Sequence, residues 1–185
     1  MIKGYKKVFF GMLFNTFHFN LGPIQLLPDF IAIIIICSGI KEILEVYDNN
    51  LLNASLKLFN IKMIIAIIAF ILPIMGIESI FGNDMILNII WFNIGNILEL
   101  LSILKFMQGT SEVLKENFNT YLGDKYNNKT INYIYLYSIL IVLANINFIF
   151  MSNTLAVVTA IYGVIIRLYV ILGIKPLYSE SLEYN

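Results

Sequence analysis

An all-α, polytopic transmembrane bundle is the fold class this sequence predicts, and three observations predict it. Hydrophobic residues make up 59% of the chain and charged residues 13%, against roughly 45–50% and 25% in soluble globular proteins. Uncharged runs cover residues 8–28, 30–40, 63–77, 85–98 and 130–166, the pattern of helices that each need about 20 mostly apolar residues to cross a bilayer. The lysines fall in alternate connections between those runs, as they do when one side of a membrane retains them. A water-soluble domain of 185 residues with mean hydropathy +0.81 would leave too much of this apolar surface in water, because small folds expose much of their surface.

Six crossings in a single domain, residues 1–185, account for the runs. The first is expected over about 5–20. Its basic start resembles a leader segment, but it has no small-x-small cleavage pattern, and His18 and Asn20 do not suit one. Asn20, Leu21, Gly22 and Pro23 break the chain. The second crossing is expected over about 28–46, with Pro28 in a first turn where its missing N–H costs nothing and Asp29 at the positive end of the helix dipole. The third crosses over 58–77, preceded by an amphipathic stretch from residue 51 lying near the interface, and Pro73 is expected to kink its far end. The fourth runs over about 85–108, stopped by Gly109. The run over 130–166 is too long for one crossing. Met151, Ser152 and Asn153 divide it into spans at about 131–150 and 154–174, with Ser152 or Asn153 as the cap of the second and Lys175-Pro176 as its stop.

Residues 111–122 have a helical period of their own. Leu114, Phe118, Tyr121 and Leu122 share one face, Glu112, Lys115 and Glu116 lie away from it, and Gly123 suits the position after a helix end. A short helix is expected there, either lying on the membrane surface or packed on the rest of the protein.

The basic residues orient the bundle. Lys3, Lys6 and Lys7 precede the first crossing; Lys41, Lys57 and Lys62 are counted with the second connection; Lys105, Lys115, Lys125 and Lys129 belong to the fourth; Lys175 follows the sixth. The first and fifth connections hold no basic residue, and the third holds only Glu78 and Asp84. Both ends of the chain are therefore expected on the cytoplasmic side.

Polar residues within apolar helices are the candidate functional positions. Glu99 and Arg167 lie in helices of the same direction at matching depth, so an ion pair between them is expected. Three roles remain open for it: a lock between two helices, a coupling pair in a transport path, or, for Arg167, simple snorkelling to the interface. Asn93, Asn96 and Glu99 recur at every third position as a slanting polar stripe, with Asn145 and Asn147 on the next helix. They either bond neighbouring helices or line a wet cavity, in a chain rich in Ile, Asn, Lys, Phe and Tyr, all residues of A/T-rich codons. At the first hairpin, His18, Gln25 and Asp29 form a candidate cluster that either caps a rigid turn or titrates.

The stretch Leu26-Leu27-Pro28-Asp29-Phe30-Ile31, following Asn20-Leu21-Gly22-Pro23, resembles the opening hairpin of a group of small bacterial multi-pass membrane proteins, over about 25 residues. Those carry a glycine after the Asp-Phe-Ile, where this chain has Ala32. The resemblance implies the bacterial cytoplasmic membrane and carries over no catalytic residue.

Function classes narrow by what the sequence lacks. There is one histidine, His18, and one cysteine, Cys37, so an intramolecular disulfide is excluded and neither a cofactor nor a metal site is expected. No HExxH, GxSxG or GxxxxGK[ST] motif occurs, and an enzyme is not expected. With zero net charge, nucleic acid is not expected as a partner. The expected function is a non-catalytic membrane component whose partners are the lipid bilayer and another membrane protein or a second copy. The alternative is a small-solute or ion transporter or channel using Glu99 and Arg167.

Overall fold

The computed structural model describes residues 2–17, 20–21, 24–25, 28–75 and 84–178. Six helices account for nearly all of them: α1 (Ile2–Thr16), α2 (Asp29–Leu44), α3 (Asn50–Ile74), α4 (Met85–Asn117), α5 (Thr120–Phe150) and α6 (Asn153–Tyr178). Two-residue strands β1 (Asn20–Leu21) and β2 (Ile24–Gln25) pair antiparallel between α1 and α2. Each helix packs on its sequence neighbours, and α6 closes on α1, so the helices form an up-and-down ring. The end bearing the α2–α3 and α4–α5 turns is termed the lysine end, and the other the far end.

Side-chain caps fix where several helices begin. The Asn49 side chain accepts from the backbone N–H of Leu51 and Leu52 before α3, and Asp84 accepts from Ile86 and Leu87 before α4. Asn119 accepts from Tyr121 before α5. Such caps satisfy N–H groups that have no partner within the helix. Met151 ends α5 in the left-handed region, with φ 48°, and Ser152 Oγ then accepts from Leu155 N at 3.4 Å. The division of the long apolar run thus falls at the expected residues.

Four helices, α3 to α6, are long and apolar enough to cross a membrane. The other two are shorter, 15 residues for α1 and 16 for α2. Lys3, Lys6 and Lys7 lie within α1, and Lys41 and Glu42 within α2.

The expected short helix at 111–122 does not exist as a unit. Helix α4 passes through Gly109 to Asn117, the chain turns at Phe118 and Asn119, and α5 begins at Thr120. The reason is tertiary. Gly109 gives α4 a close approach to α3: a Cβ there would meet Leu52 N and Asn49 Oδ1, each at 2.8 Å. A Cβ on Gly123 would likewise lie 2.8 Å from Ser111 O across the α4–α5 turn. Ser111 Oγ donates to Gly123 O at 2.7 Å, and Lys115 pairs with Asp124 at 2.7 Å. Both glycines are contact positions, not helix stops. Helix α6 also outruns its expected stop and takes in Pro176 in its last turns. Pro73 lies at the far end of α3, beside its cap Met75.

The buried core is concentrated toward the lysine end, with Tyr5, Val8, Ile40, Ile43, Leu52, Phe106, Val113 and Ile174 among its members. The amphipathic start of α3 belongs to it: Leu52, Ser55 and Phe59 are buried, and Ser55 Oγ donates to Ser102 O at 2.8 Å. The far halves of α3 to α6 instead present isoleucines outward, among them Ile71, Ile86, Ile149 and Ile161.

Candidate functional site

Glu99 is the centre of a charged node joining three helices. Its position on α4 turns the carboxylate into the ring, where the side chain is 9% exposed. Arg167 of α6 grips it with two bonds, Nε to Oε1 at 2.9 Å and Nη2 to Oε2 at 3.0 Å. Lys62 of α3 adds a third from Nζ to Oε2 at 3.0 Å. The planar guanidinium matches the carboxylate fork and gives a defined geometry. The remaining arginine nitrogen, Nη1, donates to the Asn15 carbonyl at 3.3 Å. Asn15 lies in the last turn of α1, where carbonyls have no helical partner. One node therefore ties α1, α3, α4 and α6.

Lys62 is a correction to the sequence reading. It is not part of a connection; it lies in the middle of α3 and faces inward, its side chain 18% exposed. Glu99 thus serves two cations.

A cavity of about 240 Å³ adjoins the node, bordered by Asn15, Asp29, Lys62, Glu99 and Arg167, with Gly95 and Ala66 on its wall. A Cβ on Gly95 would meet nothing within 4 Å, so α4 faces open space there. Toward the lysine end the ring interior is filled instead: Phe59, Phe106 and Tyr5 are buried to 1% exposure or less, and Tyr5 Oη donates to Thr110 Oγ1 at 3.3 Å.

The other predicted positions separate. Asn93 makes a reciprocal amide pair with Asn145 of α5, at 2.8 and 2.9 Å. Asn96 turns its Nδ2 back to the Phe92 carbonyl on its own helix at 3.0 Å. The three-residue spacing explains this. Each step falls about 60° short of a full turn, so Asn93 and Glu99 point about 120° apart. One faces α5 and the other faces α3 and α6. Asn147 Oδ1 is buried with no partner among the described residues.

The hairpin cluster also divides. His18 lies outside the described residues. Gln25 is described by its backbone pairing with Asn20. Asp29, in the first turn of α2, borders the cavity of the node. Among the described residues, no three His, Cys, Asp or Glu side chains are grouped to hold a metal ion. No family model, curated protein or solved structure matches the chain.

Proposed function

We propose that this chain is a non-catalytic, multi-pass component of the bacterial cytoplasmic membrane, with about six crossings, the lysine end inside, and a node that locks the ring. The observation that carries this reading is the saturation of Glu99: both carboxylate oxygens are occupied, by Arg167 and Lys62 together. A coupling residue must release its partner to work, whereas here three charge-assisted bonds and an α1 carbonyl hold one arrangement. The packed aromatic interior on the lysine side of the node, with Tyr5, Phe59 and Phe106 buried, supports the same reading. Partners are the lipid around the far halves of α3 to α6 and another membrane protein or a second copy.

The transporter reading keeps one observation in its favour, the cavity of about 240 Å³ beside four ionisable side chains. Purified protein in liposomes decides between them. With proton-, potassium- and chloride-sensitive dyes, the wild-type protein is expected to give the flux of empty liposomes. A flux that Glu99→Gln abolishes in folded protein would replace the lock with transport.

A further inference from the structure

The second cavity lies at the lysine end, between α4, α5 and α6, and measures about 130 Å³. Leu114 and Leu177 are buried along it. Lys125 and Lys129, one helical turn apart on α5, also line it. Gly173 of α6 makes room: a Cβ there would meet the Lys129 stem at 3.9 Å and the Tyr126 ring at 4.0 Å. Two other lysines at this end have carboxylate partners, Lys7 with Glu42 and Lys115 with Asp124. Among the described residues no carboxylate pairs with Lys125 or Lys129. The pocket thus has an apolar wall, two cations with no carboxylate partner among the described residues, and a position where α5 and α6 leave the apolar span.

We infer that this pocket seats an anionic phospholipid of the inner leaflet, its phosphate between Lys125 and Lys129 and the upper part of an acyl chain against Leu114 and Leu177. Charge selects the headgroup: a phosphate supplies what two neighbouring cations lack, and basic pockets between membrane helices on the cytoplasmic side suit such headgroups. The apolar wall distinguishes a lipid from a free anion, because inorganic phosphate would leave it uncovered. The inner-leaflet placement rests on the proposed orientation; binding itself does not.

The test uses full-length protein in detergent, with thermal unfolding followed during titration of phosphatidylglycerol, phosphatidylcholine or inorganic phosphate. Phosphatidylglycerol is expected to raise the unfolding temperature saturably and the other two are not. Lys125→Gln with Lys129→Gln should weaken the apparent affinity by roughly tenfold to thirtyfold, the loss of two lysine–phosphate attractions. Lys41→Gln with Lys57→Gln removes equal charge away from the pocket and should leave the affinity within twofold. An equal response to inorganic phosphate would overturn the lipid assignment, as would an unchanged affinity in the Lys125/Lys129 variant. A fold defect in that variant would be bypassed by Leu177→Trp, which fills the pocket and should also abolish the phosphatidylglycerol response. Reporters placing residues 120–128 outside would refute the orientation while leaving the detergent result intact.

Discussion

At Glu99, two cations share one carboxylate, and the three residues are not equivalent. Removing Arg167 leaves Glu99 with Lys62, and removing Lys62 leaves it with the bidentate arginine. Removing Glu99 leaves two cations facing each other with no anion between them. Breaking a buried pair from one side costs about 3–5 kcal/mol, so Glu99→Gln should lower the unfolding temperature in detergent most. Lys62→Met should lower it least, because the guanidinium fork remains on both carboxylate oxygens. Combining Glu99→Gln with Arg167→Gln should recover part of the single loss, since less charge is stranded. Equal losses from all three single variants, or strictly additive ones, would mean that the node does not act as a unit. The Glu99–Arg167 contact was legible in the sequence as opposite charges at one depth in two helices of the same direction. Lys62 is not, because its charge and its place near Lys57 suit a connection that the structure folds as continuous helix, and Asp29 stands near His18 in sequence but borders a cavity formed by distant helices. Sequence spacing reports faces of one helix well and coincidence between helices poorly.

Among helices, the same limit shows in the glycines. Gly109 and Gly123 have the local character of helix ends, yet both sit inside helices because a neighbouring backbone needs the space. The pair α1 and α2 depends on this most. A Cβ on Gly39 would lie 2.6 Å from Gly4 O and 2.7 Å from Val8 Cγ2, and one on Gly11 would lie 2.9 Å from Ile36 N. Small residues that let backbones approach are a recurrent basis of helix pairing in membranes. Gly95, by contrast, faces open space. The same change at two glycines should therefore have opposite signs. Gly39→Ala forces apart a backbone contact and should destabilise by about 1–3 kcal/mol, the usual range for overpacking. Gly95→Ala should be neutral or stabilising by about 0.5–1 kcal/mol, through reduced freedom of the unfolded chain. Unfolding temperatures of the two variants, purified alike, check this; a loss at Gly95 that matches the loss at Gly39 would show that the α1–α2 approach is not special. The existence of the helices and the break at Met151 were legible because they follow from apolar runs and turn chemistry. The length of α4 was not, because its continuation depends on contacts with α3 and α5.

Across the whole molecule, the node divides the bundle into unlike halves. Twelve residues of α3 lie beyond Lys62, and fourteen of α4 and of α6 lie on the far side of Glu99 and Arg167. At 1.5 Å per residue these are about 18–21 Å of helix. The hydrocarbon is about 30 Å thick, so the node of a fully spanning bundle would sit roughly 10 Å inside the boundary on the lysine side. Helices α1 and α2 end at node level, through Asn15 and Asp29, and at 15 and 16 residues they are about 22–24 Å long. Whether the first hairpin completes a crossing therefore turns on residues 17–28. If it does, there are six crossings; if it turns back within the bilayer, there are four. The sidedness of every lysine is the same in both cases, because α1 and α2 return the chain to the side it came from. The charge alternation that predicts the orientation is thus silent on the count. Reach permits six: six residues can span at most roughly 20 Å, the distance from the node to the far ends. The decisive measurement replaces Cys37 by alanine and introduces single cysteines at Gln25, Asp84 and Tyr121. A membrane-impermeant maleimide applied to intact cells should label Gln25→Cys and Asp84→Cys, and should reach Tyr121→Cys only after the membrane is opened. Labelling of Asp84→Cys without Gln25→Cys, with Gln25→Cys remaining unlabelled after opening, would establish four crossings and a buried hairpin tip. Labelling of Tyr121→Cys in intact cells would reverse the orientation altogether.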